Sequence, residues 1–311
     1  MNNLDYIFGK EYRIFWMGLS IIWVILLHIS ANIDNNWLTI LFGRGYLGVD
    51  VFFMLSTYGL CYSYNLNNIN HFYYNRFKRI FPTYIVYLIT LFLFFGNEFD
   101  GNLFILGIYQ FTGIATFRSI NIEWFIPALI ILYVFFPLIY QGIRCIWIKC
   151  KFLLLCLFPI LAIILSHYGW TSLLWLAAPR FLIVYITILL FLARNNKRLV
   201  LLICLVPALC HLLLRADYLS FSPALFLPII FYAIGSFHPS FAKMQVISYI
   251  GKFSLEIYLA QSIAIQYFAR VNVFNFNQIT LYFFSAVLIV LLSFIFHYTN
   301  KIWAVSLIKK D

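Results

Sequence analysis

One histidine and a pair of arginines stand out near the start of the sequence. His28 closes an apolar run that begins near residue 14, and Arg76 and Arg79 stand three positions apart just before Pro82. An imidazole inside a membrane segment is costly to keep, and it can accept or release a proton near neutral pH. Two guanidinium groups at i and i+3 share a helix face and suit phosphate groups. The pattern indicates proton transfer at one place and anion binding at another.

Two carboxylates accompany His28 on the same predicted side of the chain. Asp50 opens the next apolar run, and Glu123 directly precedes Trp124 at the start of a later one. A carboxylate beside an imidazole fixes its tautomer and raises its basicity, as a general base requires. We therefore expect His28 to be the catalytic base, oriented by Asp50, with Glu123 near the same site. A polar pair that only packs two helices together is the alternative interpretation.

Arg13 begins the apolar run that His28 ends. Fifteen helical residues separate the two side chains, which corresponds to about 22 Å. We expect Arg13 to join Arg76 and Arg79 at an anion site on the inner side, where a nucleotide-bearing donor such as acyl-CoA would fit. Snorkelling of Arg13 to the headgroups, and anchoring of the Arg76 region against anionic lipid, explain the same residues without a ligand.

The composition is that of an integral membrane protein. Of the 311 residues, 64% are apolar and only 10% are charged, whereas soluble domains carry roughly 25% charged residues. We expect a single domain over residues 1–311 with no separate soluble module. The net charge is +11. We attribute it to basic residues on the cytoplasmic side of a membrane protein rather than to nucleic-acid binding. The six cysteines lack metal-ligand spacing, so no metal site is expected.

Apolar runs long enough to cross a bilayer predict an all-α bundle of about ten transmembrane helices. They lie near residues 14–31, 47–64, 80–96, 124–141, 152–167, 171–193, 199–214, 222–237, 253–269 and 278–299. With both termini cytoplasmic, 16 basic residues fall inside and 5 fall outside, as the positive-inside rule requires. Counting the shorter run 103–117 as a span would reverse this bias. We therefore interpret 103–117 as a re-entrant or interfacial segment.

Five segments, in order and over nearly the whole chain, resemble the membrane acyltransferase-3 superfamily. They are "IIWVILLH" ending at His28, "GVDVFFMLSTY" at 48–58, Arg76 and Arg79 with Pro82, Trp124-Phe125 with Tyr133 and Pro137, and "GKFSLEIYLAQ" at 251–261.

The resemblance implies a multi-pass protein of the bacterial inner (plasma) membrane that O-acylates cell-envelope glycans. It implies that His28 acts in acyl transfer and that Arg76 and Arg79 engage acyl-CoA. Acetyl-CoA is then the expected co-substrate, with no permanently bound cofactor. The expected partners are the acyl-CoA donor, an extracytoplasmic or lipid-linked glycan acceptor, and membrane lipids.

The chain departs from the family pattern at three positions. Met17 stands where a basic residue is frequent, and Arg13, one turn earlier, is the expected substitute. Thr57 replaces a glycine after Ser56, and Gln261 replaces a late histidine, which argues against catalysis at that position.

Several alternatives remain open at this point. A membrane transporter or flippase for a lipid-linked glycan or anionic solute would also use intramembrane charges such as Arg180, for which the sequence gives no partner. Direct transfer and a transient acyl-histidine both fit the residues. The acceptor, the size of the acyl group and the oligomeric state are not determined by the sequence.

Overall fold

The chain is helical wherever its structure is described. The computed structural model describes residues 3–30, 36–95, 124–168, 178–213, 222–237, 245–270 and 278–308, and these contain no β-strand. The helices are α1 Asn3–Ile7, α2 Lys10–Ser30, α3 Asn36–Gly43, α4 Leu47–Leu66, α5 Ile69–Phe95, α6 Phe125–Lys149, α7 Lys151–Tyr168, α8 Ala178–Ala193, α9 Lys197–Leu213, α10 Leu227–Ser236, α11 Gln245–Lys252, α12 Ser254–Arg270 and α13 Gln278–Ile308. Short 3₁₀ turns at Arg44–Tyr46 and Ser222–Phe226 lead into α4 and α10. The predicted all-α class is confirmed.

Each of the ten predicted apolar segments overlaps one of these helices. Among the described residues, four continuous helical stretches are long and apolar enough to cross a membrane. They are Ile40–Leu66, which runs from the end of α3 through α4, Ile69–Phe95, Phe125–Lys149 and Tyr282–Trp303. Shorter apolar helices cover Tyr12–His28, Lys151–Leu161, Arg180–Ala193 and Ala224–Ser236. The count of ten spans and the cytoplasmic termini stay predictions, and the segment 103–117 lies outside the described residues.

The helix α2 is held closely by neighbours on two sides. A β-carbon added at Gly48 of α4 would lie 2.6 Å from the carbonyl oxygen of Ser20, so the two backbones almost touch there. On another face, a β-carbon at Gly251 of α11 would overlap the carbonyl oxygen of Ile14. Small residues at such crossings let transmembrane helices approach closely. The glycines that begin two of the five motif segments therefore fix the position of α2.

The amino-terminal helix α1 is built into the bundle. The hydroxyls of Tyr58 and Tyr62 both donate hydrogen bonds to Oδ1 of Asp5, the former at 2.8 Å. Just after α1, the ring of Phe8 stacks on Tyr58 with centroids 4.2 Å apart, and Phe8 is buried. These contacts hold the start of the chain against the carboxyl-terminal half of α4, close to the helical turn that carries Arg13.

Candidate functional site

The structure brings together the three arginines that the sequence nominated for anion binding. We call Arg13, Arg76 and Arg79 the arginine cluster. The guanidinium of Arg13 lies close enough to Arg79 and Arg76 to interact electrostatically with both. It passes directly over Gly59 of α4, where an added β-carbon would lie 2.7 Å from its Nη1 atom. Arg76 and Arg79 reach the cluster from successive turns of α5, because that helix already begins at Ile69.

Aromatic side chains hold Arg76 in place within this cluster. Its guanidinium carbon lies 5.6 Å from the ring centroid of Phe72 and 5.9 Å from that of Tyr133. Arg76 also interacts electrostatically with Tyr133, which is buried on α6. Its Nε atom is buried and has no hydrogen-bond partner among the described residues. Arg76 is thus positioned by aromatic contacts while part of its donor capacity stays unused.

No carboxylate whose side chain the structure describes neutralises the arginine cluster. Asp5 accepts hydrogen bonds from tyrosines, Asp50 pairs with Arg180, and Glu256 pairs with His297 at 3.6 Å. Three like charges held close together repel one another. An anion with several oxygens would relieve this repulsion and supply charge-assisted hydrogen bonds. The cluster is therefore suited to a phosphate-bearing ligand.

A small internal cavity of about 30 Å³ begins at Arg79 and extends into the bundle. Its volume is comparable to that of one water molecule. Four of the five motif segments reach it, because its lining includes Ser56, Arg79, Tyr133 and Ser254. Met17, at the position where the family frequently has a basic residue, lines it as well. The motif segments, far apart in sequence, converge around the interior side of the arginine cluster.

His28 lies at the opposite end of α2 from the arginine cluster. Its side chain is exposed on the protein surface. The fifteen intervening helical residues place it about 22 Å from Arg13 along the axis. Below His28, the indole nitrogen of Trp23 donates a hydrogen bond to the carbonyl oxygen of Leu41 at 3.1 Å, which fixes this end of α2 to α3. The imidazole is thus accessible from the end of the bundle away from the arginines.

Asp50 pairs with Arg180 in the interior. Nε of Arg180 lies 3.0 Å from Oδ1 of Asp50, and the Asp50 side chain is fully buried. The guanidinium carbon of Arg180 also lies 5.1 Å from the ring centroid of Trp124. This contact joins α4, α8 and the residue that precedes α6. The sequence left Arg180 without a partner, and the structure supplies two.

The expected direct pairing of His28 with Asp50 is not what the structure shows. Gly48 lies opposite Ser20, so Asp50 faces a level of α2 that is eight to ten residues below His28. At 1.5 Å per residue this is about 12 to 15 Å, too far for a hydrogen bond. Sequence proximity across a short loop suggested the pairing, but the antiparallel register of α2 and α4 excludes it. Glu123, the third predicted catalytic residue, lies outside the described residues.

The sequence did not single out Tyr133, Ser254 or Tyr258 as site residues, yet all three line the internal cavity. Each lies in one of the motif segments, so the signal was present in the resemblance. The sequence alone did not identify these residues as part of a site, because a tyrosine in a transmembrane helix is equally expected as a packing or interfacial residue.

One of three comparisons with known proteins identifies a family for the chain. A family model described as an acyltransferase domain matches residues 17–298, which is most of the chain. No curated protein and no solved structure matches the chain.

Proposed function

Because the chain belongs to the acyltransferase-3 family, we propose that this membrane acyltransferase moves an acyl group from cytoplasmic acyl-CoA to a hydroxyl of an extracytoplasmic glycan. Acetyl-CoA is the donor that we expect, and an exopolysaccharide, O-antigen or capsule is the expected class of acceptor. The bacterial inner membrane is the location that fits both substrates. The convergence of Arg13, Arg76 and Arg79 without a described carboxylate partner is the observation that carries the proposal.

The donor side of the proposal rests on charge. The phosphates of acyl-CoA would occupy the arginine cluster, and the pantetheine arm would follow the internal cavity that begins at Arg79. This cavity is narrow, so it admits a linear arm only after its lining side chains move apart. Guanidinium groups bind phosphate oxygens in a bidentate manner and would hold the donor in one orientation.

The acceptor side rests on the accessibility of His28. In the proposed reaction the imidazole takes the proton of the acceptor hydroxyl, and the hydroxyl oxygen attacks the thioester carbonyl carbon. The carbon–sulfur bond breaks, the acyl group remains on the acceptor oxygen, and CoA leaves as a thiolate that is then protonated. A transient acyl group on His28 is the second route to the same product. In either route, the donor thioester and the acceptor must meet near the outer end of α2.

The decisive experiment measures alkali-labile acyl groups on surface glycans. The strains are the parent, a deletion, and the deletion complemented with wild-type protein, His28→Ala or His71→Ala at equal membrane abundance. His71 is also exposed and lies at the start of α5, apart from the proposed site. We expect ester to be lost in the deletion and with His28→Ala, and retained with His71→Ala. Unchanged ester in the deletion would contradict glycan O-acylation.

Turnover of acyl-CoA by the purified full-length protein separates the enzyme from a transporter. An acyltransferase releases free CoA in the presence of acceptor, whereas a transporter or flippase leaves acyl-CoA intact. Release of CoA that is abolished by His28→Ala supports the proposal. Movement of a glycan across vesicles without CoA release would overturn it.

A further inference from the structure

A second cavity lies on the outside of the bundle, between α5 and α6. It has a volume of about 290 Å³ and is almost entirely apolar. Its walls include Phe77, Ile80, Phe81, Tyr84, Ile130 and Val134. Phe77 and Val134 each expose 51% of their surface, so the cavity opens sideways, toward the acyl chains of a surrounding bilayer. We call this cavity the lateral groove.

The lateral groove is charged at the end that lies nearest the start of α5. The hydroxyl of Tyr73 donates a hydrogen bond to the backbone oxygen of Val134 at 2.9 Å, which ties the two helices together across the groove. Phe77 and Phe81 stack along one wall with centroids 4.1 Å apart. Among the described residues that line the groove, Arg76 is the only cation, and its guanidinium rests on the rings of Phe72 and Tyr133.

Ile80 and Tyr133 form the wall that separates the lateral groove from the internal cavity, since both residues line both spaces. Arg76 lines only the groove, whereas Arg79 lines only the internal cavity. Two arginines of one motif therefore face two different compartments. Nε of Arg76 is buried and has no hydrogen-bond partner among the described residues, so this guanidinium, which lines the groove, keeps unused donor capacity.

The ligand that fits this groove carries an anionic group a short distance from an apolar chain. The apolar walls begin beside Arg76, with no polar stretch between them. In acyl-CoA the pantetheine arm separates the phosphates from the acyl group, so its acyl chain does not match this arrangement. In a phospholipid, the phosphate and the acyl chains are separated by the glycerol alone. Basic residues near a membrane surface also favour anionic lipids.

We propose that the lateral groove is a binding site for an anionic phospholipid of the surrounding membrane, with its phosphate on Arg76 and one acyl chain between α5 and α6. The second acyl chain remains in the bilayer. The lipid site is inferred from the geometry of the groove and does not depend on acyl-CoA binding. It shares Arg76 with the proposed donor site. Tyr133 separates the lipid from the internal cavity.

Phosphatidylglycerol is the probe, with phosphatidylcholine as the zwitterionic reference. The full-length protein is reconstituted with equal amounts of both lipids and washed with detergent. The lipids that remain bound are then counted by native mass spectrometry. We expect retained phosphatidylglycerol in the wild type, and about fivefold weaker binding in Arg76→Gln, the effect of one basic residue near anionic lipid. Lys78→Gln, which removes a neighbouring cation outside the groove, should retain it.

Val134→Trp should fill the lateral groove while leaving the charge of Arg76 unchanged. Its matched control is Leu138→Trp, which lies one turn further along the same face of α6, is 68% exposed and does not line the groove. We expect Val134→Trp to lose the bound lipid and Leu138→Trp to keep it, with equal thermal stability. Ile130→Phe is the second groove variant should the tryptophan prevent folding.

Equal retention of phosphatidylglycerol in all variants would overturn the site, and so would equal retention of the two lipids by the wild type. Preferential retention of a polyprenyl phosphate added in place of phosphatidylglycerol would also overturn the assignment to a phospholipid. Acyl-CoA turnover is measured in parallel on Val134→Trp. Lipid binding without turnover in the wild type would reject the proposed function alone, and turnover without selective lipid binding would reject the lipid site alone.

Discussion

Asp50 and Arg180 form an ion pair in the interior of the bundle, with Oδ1 and Nε 3.0 Å apart and both side chains buried. Arg180 also contacts the ring of Trp124. Removing one member of such a pair leaves an uncompensated buried charge. The pair therefore holds α4 and α8 together and positions the start of α6.

The first prediction concerns the stability that this pair confers. Asp50→Asn should reduce the free energy of unfolding by about 3 to 5 kcal/mol, because Arg180 stays charged and buried without its partner. The double variant Asp50→Leu/Arg180→Met should recover most of this loss. Thermal unfolding in detergent measures both. A stable Asp50→Asn protein that has lost acyl transfer would contradict the structural role and place Asp50 in the chemistry.

The second prediction concerns the arginine cluster. Arg13→Gln and Arg79→Gln should each raise the KM for acyl-CoA by about ten- to a hundredfold, because a hydrogen bond to a charged group contributes about 1.5 to 3 kcal/mol. The kcat should change less, since neither residue reaches the acceptor. Arg144→Gln is the control, since Arg144 is exposed near the end of α6. Equal KM values for all three variants, with only membrane abundance changed, would contradict donor binding. The arginines would then serve only to orient the protein in the membrane.

The third prediction tests the route by which Arg13 reaches the cluster. Gly59→Ala places a β-carbon 2.7 Å from Nη1 of Arg13, so the guanidinium must move away. The added methyl group contacts only the end of the flexible Arg13 side chain, which can move, so the thermal stability of the protein should change little. The KM for acyl-CoA should rise, though less than in Arg13→Gln. An unchanged KM would show that the position of Arg13 beside Gly59 is not needed for donor binding.

The fourth prediction concerns the helix crossing between α2 and α11. Added β-carbons at Gly18 and Gly251 would overlap the backbone oxygens of Ile247 and Ile14, respectively. Gly18→Ala and Gly251→Ala should each cost about 1 to 3 kcal/mol, because neither backbone can yield without separating the helices. Unfolding in detergent measures the loss.

Gly142→Ala is the matched control for this crossing. It lies inside α6 with nothing within 4 Å of an added β-carbon. Alanine is favoured over glycine in a helix by up to about 1 kcal/mol, so the control should be neutral or stabilising. Equal effects at all three glycines would mean that the close crossing does not stabilise the fold.

Part of the candidate site was predictable from residue spacing and from the predicted sides of the membrane. The spacing of Arg76 and Arg79 placed them on one face of a helix, and Arg13 was expected beside them on the inner side. In the structure Arg13 interacts electrostatically with both, but Arg76 and Arg79 line different cavities, so their shared anion site stays a prediction. The separation of His28 from Arg13 followed equally from helical rise alone.

The amino-acid sequence by itself indicated a helical membrane protein, because 64% of its residues are apolar and its apolar runs have the length of transmembrane helices. Only the tertiary structure decided that Asp50 pairs with Arg180 rather than with His28, and that Arg76 and Arg79 face different cavities. Periodicity fixes which residues share a face of one helix. The neighbours and register of that helix depend on backbone contacts such as those at Gly48 and Gly251, which unite residues far apart in the chain.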